Sequence, residues 1–78
     1  PSTTIKYSIS NVRAENFLSV RLILYDILGR EVSELVNAEQ SPGEYEVIFD
    51  ANNLTSGIYF ARLMAGSYSK TISMQLLK

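Results

Sequence analysis

The chain has 78 residues, enough for one domain, and 46% of them are apolar, so it is not a disordered tail. It contains neither cysteine nor histidine, which removes a disulfide framework, the commonest zinc sites and the usual Ser/His and Cys/His nucleophile systems. A net charge of −1 leaves no nucleic-acid footprint, and no apolar run approaches the ~20 residues of a membrane-spanning helix.

The chain opens Pro1-Ser2-Thr3-Thr4, without an initiator Met or the basic start of a signal peptide. It reads as a single domain, residues 1–78, cut from a longer precursor. The period that follows is two, the mark of half-buried strands. Ile5, Tyr7 and Ile9 alternate with Lys6 and Ser8, and Val20, Leu22 and Leu24 alternate with Arg21 and Ile23.

Asp26-Ile27-Leu28-Gly29-Arg30 then predicts a hairpin loop. A type I turn at Ile27-Leu28 is followed by Gly29 in the left-handed region, and Asp26 bonds nearby backbone N–H groups. This register opposes Asp26 to Arg30 and Leu24 to Val32. A tighter turn at Leu28-Gly29 would oppose Asp26 to Glu31, two like charges, and is disfavoured. Glu31 to Glu39 is the one stretch where a helix is conceivable.

Ser41-Pro42-Gly43 is the next turn signal, followed by Tyr45, Val47 and Phe49 alternating with Glu46 and Ile48. After Asn52-Asn53 comes Leu54-Thr55-Ser56-Gly57-Ile58-Tyr59. It has the form of a corner where a sandwich chain changes sheets and a tyrosine, here Tyr59, bonds back to upstream backbone; a plain core tyrosine is the alternative. Tyr59, Ala61 and Leu63 alternate with Phe60 and Arg62. Gly66-Ser67 fits a two-residue primed turn with glycine first, leading into Ile72, Met74 and Leu76. That register pairs Ala61 with Ile72, Tyr59 with Met74, Arg62 with Thr71 and Phe60 with Ser73. Short strands with regular turns predict an all-β sandwich of about seven antiparallel strands. Tyr7, Leu22, Leu24, Val47, Phe49, Tyr59, Leu63, Ile72 and Met74 are the expected core.

The residues left over are informative. Ile58, Phe60 and Met64 share the face opposite that core, so either a neighbouring element covers them or they form a docking patch. From Asp26 to Asp50 there are seven acids and one base, Arg30; after Asp50 there is no acid, only Arg62, Lys70 and Lys78. Either these charges pair internally or a basic terminal strand faces a partner. Glu44 and Glu46 share a strand face, but they read as solvent-facing positions rather than a catalytic pair. Asp26, Asp50 and Asn52 lack the dense oxygen spacing of a calcium loop, and no glycine belongs to a phosphate cradle. The residues point to no catalytic, cofactor or metal site.

Taken together the motifs resemble a known family. Tyr25-Asp26-Ile27-Leu28-Gly29-Arg30-Glu31-Val32 resembles the central motif of type A sorting domains of the type IX secretion system. Gln40-Ser41-Pro42-Gly43 with Tyr45, Val47 and Phe49 is similar to the family's next block. Asn53-Leu54-Thr55-Ser56-Gly57-Ile58-Tyr59-Phe60 with Arg62-Leu63 is similar to the third. The opening Pro1 to Tyr7 and the basic, apolar end from Lys70 through Leu76-Leu77-Lys78 extend the likeness over essentially the whole chain.

The resemblance implies an immunoglobulin-like β-sandwich at the extreme C-terminus of precursors from Bacteroidota and related phyla. It implies passage through the periplasm, reading by an outer-membrane translocon, and delivery of an attached upstream cargo to the medium or cell surface. A sortase-like surface peptidase often removes such a domain. The mechanism is recognition, with no cofactor, no metal and no nucleic acid. Candidate recognition residues are Asp26, Gly29 and Arg30 in the loop, Ile58, Phe60 and Met64 on the second face, and Lys70 and Lys78 at the end. Two alternatives are a carbohydrate-binding module, which needs exposed coplanar aromatics from Tyr7, Tyr25, Tyr45 or Tyr68, and a passive spacer domain.

Overall fold

The structure is a computed structural model and describes residues 2–9 and 17–77. Six strands account for most of those residues: β1 Ser2–Ile9, β2 Leu18–Tyr25, β3 Glu31–Gln40, β4 Gly43–Asp50, β5 Gly57–Ala65 and β6 Tyr68–Leu76. They form two antiparallel sheets, one of two strands, β1-β4, and one of four, β3-β2-β5-β6. The two-layer all-β architecture agrees with the sandwich expected from sequence, with six strands among the described residues instead of about seven.

Strand alternation places the core. Ile5, Ile9 and Phe49 of the small sheet meet Val20, Leu22, Leu24, Tyr59, Ala61, Leu63 and Leu76 of the large one. Val20 and Leu24 are fully excluded from solvent. Tyr7, Val47 and Met74 pack at the margin, half-buried. Ile72 departs from the expected core: it is 43% exposed although it lies opposite Ala61, on the inner side of β6. The physical reason is the mismatch of the layers, because among the described residues a two-stranded ribbon faces a four-stranded sheet and does not cover its full width.

The last hairpin has the predicted register, Ala61 with Ile72, Tyr59 with Met74, Arg62 with Thr71 and Phe60 with Ser73. Gly66 takes φ 62°, the positive value that a glycine-first primed turn needs. The stretch from Glu31 to Glu39 is strand, not helix. Its period of two is broken because the ladder to β2 slips twice. Leu22 pairs Val36 while Ile23 pairs Glu34, leaving Leu35 extra; Leu24 pairs Ser33 while Tyr25 pairs Glu31, leaving Val32 extra. The predicted pairing of Leu24 with Val32 is therefore wrong by one residue, and the second slip is the cause.

A candidate docking surface at one end of the sandwich

The loop between β2 and β3 closes as the sequence predicts. The Gly29 N–H donates to the Asp26 carbonyl at 3.0 Å and the Asp26 N–H to the Arg30 carbonyl at 2.9 Å. Gly29 sits at φ 83°, in the left-handed region where a side chain costs steric energy. The Asp26 carboxylate organises the rest. Its Oδ1 accepts the N–H groups of Leu28 and Arg30, both at 2.9 Å, and its Oδ2 accepts Arg30 Nε at 2.8 Å. The backbone N–H of Arg30, together with the Arg30 side chain and the Leu28 N–H, holds the Asp26 carboxyl below the ordinary carboxylate value.

The Asp26 carboxylate is thus taken up within the loop, and the two central turn residues turn outward. Ile27 is 67% exposed and Leu28 73%. Beside them runs the connection from β4 to β5. There the Leu54 N–H donates to the Ala51 carbonyl at 3.0 Å, and Asp50 Oδ1 accepts the Asn52 N–H at 2.9 Å. The Tyr59 hydroxyl donates back to the Thr55 carbonyl at 2.7 Å, the tyrosine corner expected from sequence. The two connections enclose a shallow depression of about 350 Å³, lined among others by Ile27, Leu28, Val32, Leu54, Ile58 and Tyr59.

Ile58 links this end to the outer face of the large sheet. On that face Ile23 is 2% exposed although it lies opposite the core. Its cross-strand neighbours are Glu34 and Arg62, which makes Phe60 and Met64 its diagonal neighbours. Both are half-buried, while Ile58 remains exposed. Phe60 and Met64 are thus placed to shield Ile23, and Ile58 is the free apolar member of the three. Nearby, Arg21 and Glu34 form an ion pair at 2.6 Å, which raises the Arg21 pKa and lowers that of Glu34.

Asp26, Arg30 and Ile58 of the predicted residues meet around the depression, and Gly29 shapes the loop that brings them there. Lys70 lies elsewhere, exposed on β6 beside Lys6 of β1. Lys78 lies outside the described residues. Ile27, Leu28 and Val32 join this surface although they are not among the residues expected there from sequence. The available signal was two large aliphatic residues at the centre of a turn, positions where side chains face water. The Tyr45 hydroxyl donates to the Ser41 carbonyl in a second tyrosine corner, a bond the sequence does not announce.

Of the four tyrosines a carbohydrate platform would use, Tyr7 and Tyr45 stack on each other at 5.4 Å and 15°, half-buried, Tyr25 is also half-buried, and Tyr68 alone is exposed.

A family model for the secretion system C-terminal sorting domain matches residues 2–76. The chain belongs to that family. The sorting domain is a C-terminal signal for type IX secretion, a family of sorting signals rather than catalysts. Membership implies recognition by the type IX machinery, attachment to an upstream cargo protein, and a cargo that is secreted or held at the cell surface. No curated protein and no solved structure matched the chain.

Proposed function

We propose that residues 1–78 act as one folded sorting module, and that the outer-membrane translocon reads its loop end, the surface of Ile27, Leu28, Val32 and Ile58. The observation that carries this reading is the pairing of a pinned loop with exposed aliphatic side chains. Asp26 fixes the loop through three hydrogen bonds, and Ile27 and Leu28 still point to solvent. Apolar side chains held out on a preordered backbone lose little entropy on docking, which favours a partner that buries them. The cargo travels through the periplasm with the sorting domain attached, crosses the outer membrane after recognition, and is freed when a sortase-like surface peptidase removes the domain.

The test is a periplasm-targeted reporter carrying residues 1–78 at its C-terminus, expressed in a host with the pathway. The expected result is reporter in the medium or on the surface, with periplasmic retention of the same reporter lacking the domain. Equal retention of both would overturn the reading.

A further inference from the structure

A second feature lies on a flank of the sandwich, away from the loop end. Among the described residues the small sheet has two strands, so β1 pairs β4 along one edge and no described strand pairs the backbone N–H and C=O groups of its other edge. The last strand of the large sheet, β6, is likewise an edge. The two open edges share one cleft of about 170 Å³, whose lining includes Lys6, Tyr7, Leu63, Tyr68, Lys70 and Ile72. Its apolar residues are incompletely covered: Ile72 is 43% exposed and Tyr68 52%, both on the inner side of β6 opposite Ala61 and Ala65. Two exposed lysines, Lys6 and Lys70, flank it, and neither forms an ion pair among the described residues.

We infer that this cleft takes an extended acidic-and-apolar segment of a partner protein, which adds to the free edge of β1 as a third strand of the small sheet. The added strand would widen the narrow layer from two strands to three over β6. Its inward apolar side chains would cover Ile72 and Tyr68, and its outward acidic side chains would meet Lys6, which stands on the outer face across from Glu46; Lys70, opposite Leu63 on the inner side, adds positive charge to the cleft. Backbone pairing supplies affinity in such additions and alternate side chains supply selectivity. Lysine on an open edge ordinarily repels stray strands; here it admits an acidic one and rejects a basic one. A second copy docking through its own β1 would bring two Lys6 side chains onto one short ladder, which disfavours that occupant. The inference rests on the sorting reading in one respect, that the donor segment belongs to the export machinery.

Two measurements separate the claims. In the first, the ¹⁵N-labelled 78-residue chain is titrated with a synthetic peptide of alternating valine and aspartate, and with its valine–lysine counterpart. The expected result is amide shifts confined to β1 and the Ile72 region of β6, with the acidic peptide bound about tenfold more tightly at low salt. Lys6→Glu with Lys70→Glu should invert that preference, and Ile72→Asp should abolish binding of both peptides. No binding, shifts along other edges, an unchanged preference in the charge-reversed protein, or self-association through β1 and β4 would each overturn the inference. In the second, the reporter fusion carries the same substitutions, with folding checked by circular dichroism. Retention of folded variants alongside export of the parent fusion supports a donor in the export machinery, and normal export of the variants refutes it. Retention of the parent fusion would refute the sorting reading alone, leaving the peptide titration to decide the cleft.

Discussion

Replacing the loop apex, Ile27→Ser with Leu28→Ser, tests whether the exposed aliphatic tip is what the secretion machinery contacts. Ile27 is 67% and Leu28 73% exposed, so most of their apolar surface is available to a partner. Full burial of such a side chain contributes about 1.5–3 kcal/mol, so burying the exposed share contributes about 1–2 kcal/mol each and about 2–4 kcal/mol together. At about 1.4 kcal/mol per decade, the double substitution should weaken docking roughly 30- to 700-fold. The fold should barely respond, because exposed positions away from caps and cores change stability within about 0.5 kcal/mol. The loop hydrogen bonds use backbone atoms and the Asp26 carboxylate, which both serines leave in place. The assay is the exported fraction of a reporter fusion, beside urea denaturation of the purified domain. A variant that denatures like the parent and is exported like the parent would refute the argument and move the reading surface away from the tip.

The backbone of the same loop gives a stability prediction. Gly29→Val should cost on the order of 1–2 kcal/mol in urea denaturation, against little for Ile27→Val. Gly29 stands at φ 83° with open space where a Cβ would sit, so the loss would come from backbone strain and not from a clash. Tyr59→Phe should cost about 0.5–1.5 kcal/mol by removing the bond to Thr55. Tyr45→Phe, at a more exposed corner, should cost less; the reverse order would contradict the assigned roles. Because the folded-state pKa of Asp26 is depressed, its contribution is present above the unfolded value and lost as pH falls from about 4 through the lower folded value. Asp26→Asn should therefore flatten the acid limb of a stability-versus-pH curve, and an unchanged limb would refute the role. Lys70→Glu with Lys78→Glu should leave circular dichroism unchanged while lowering reporter export; normal export would show that the basic terminus is not read.

Much of this architecture was legible because alternation survives wherever one strand face is buried without interruption. Val20, Leu22 and Leu24 and Tyr59, Ala61 and Leu63 announce themselves in this way, and parity alone fixes the hairpin at Gly66-Ser67. The third strand was not legible for the converse reason. Two extra residues, Val32 and Leu35, shift its phase, so Val32, Leu35 and Val36 fall at a helix-like spacing although the segment is a strand. Ile72 departs from its expected burial because periodicity reports which side of a sheet a residue occupies, not whether another layer reaches it. The polar members of the candidate site, Asp26, Gly29 and Arg30, were found through turn chemistry. The apolar members, Ile27 and Leu28, were hidden because aliphatic residues are normally read as core.

That division constrains how the loop can act. All three donors found for the Asp26 carboxylate lie within its own loop, so on the proposed reading a partner would meet it as a scaffold more than as a charge. Arg30 gives one guanidinium nitrogen to Asp26, yet its side chain is 73% exposed. The remaining N–H groups of its five-donor fork have no partner among the described residues and could reach a carboxylate or carbonyl on the partner. The loop therefore offers two aliphatic side chains and one partly committed cation, on a backbone that Asp26 and Gly29 hold in shape. Losing Asp26 or Gly29 would act on recognition by reshaping the display, and should also disturb the loop amides. Losing Ile27, Leu28 or the Arg30 fork would act on the contact itself and leave those amides in place. Amide shifts of residues 26–30 in each variant, read beside export, separate the two kinds of loss.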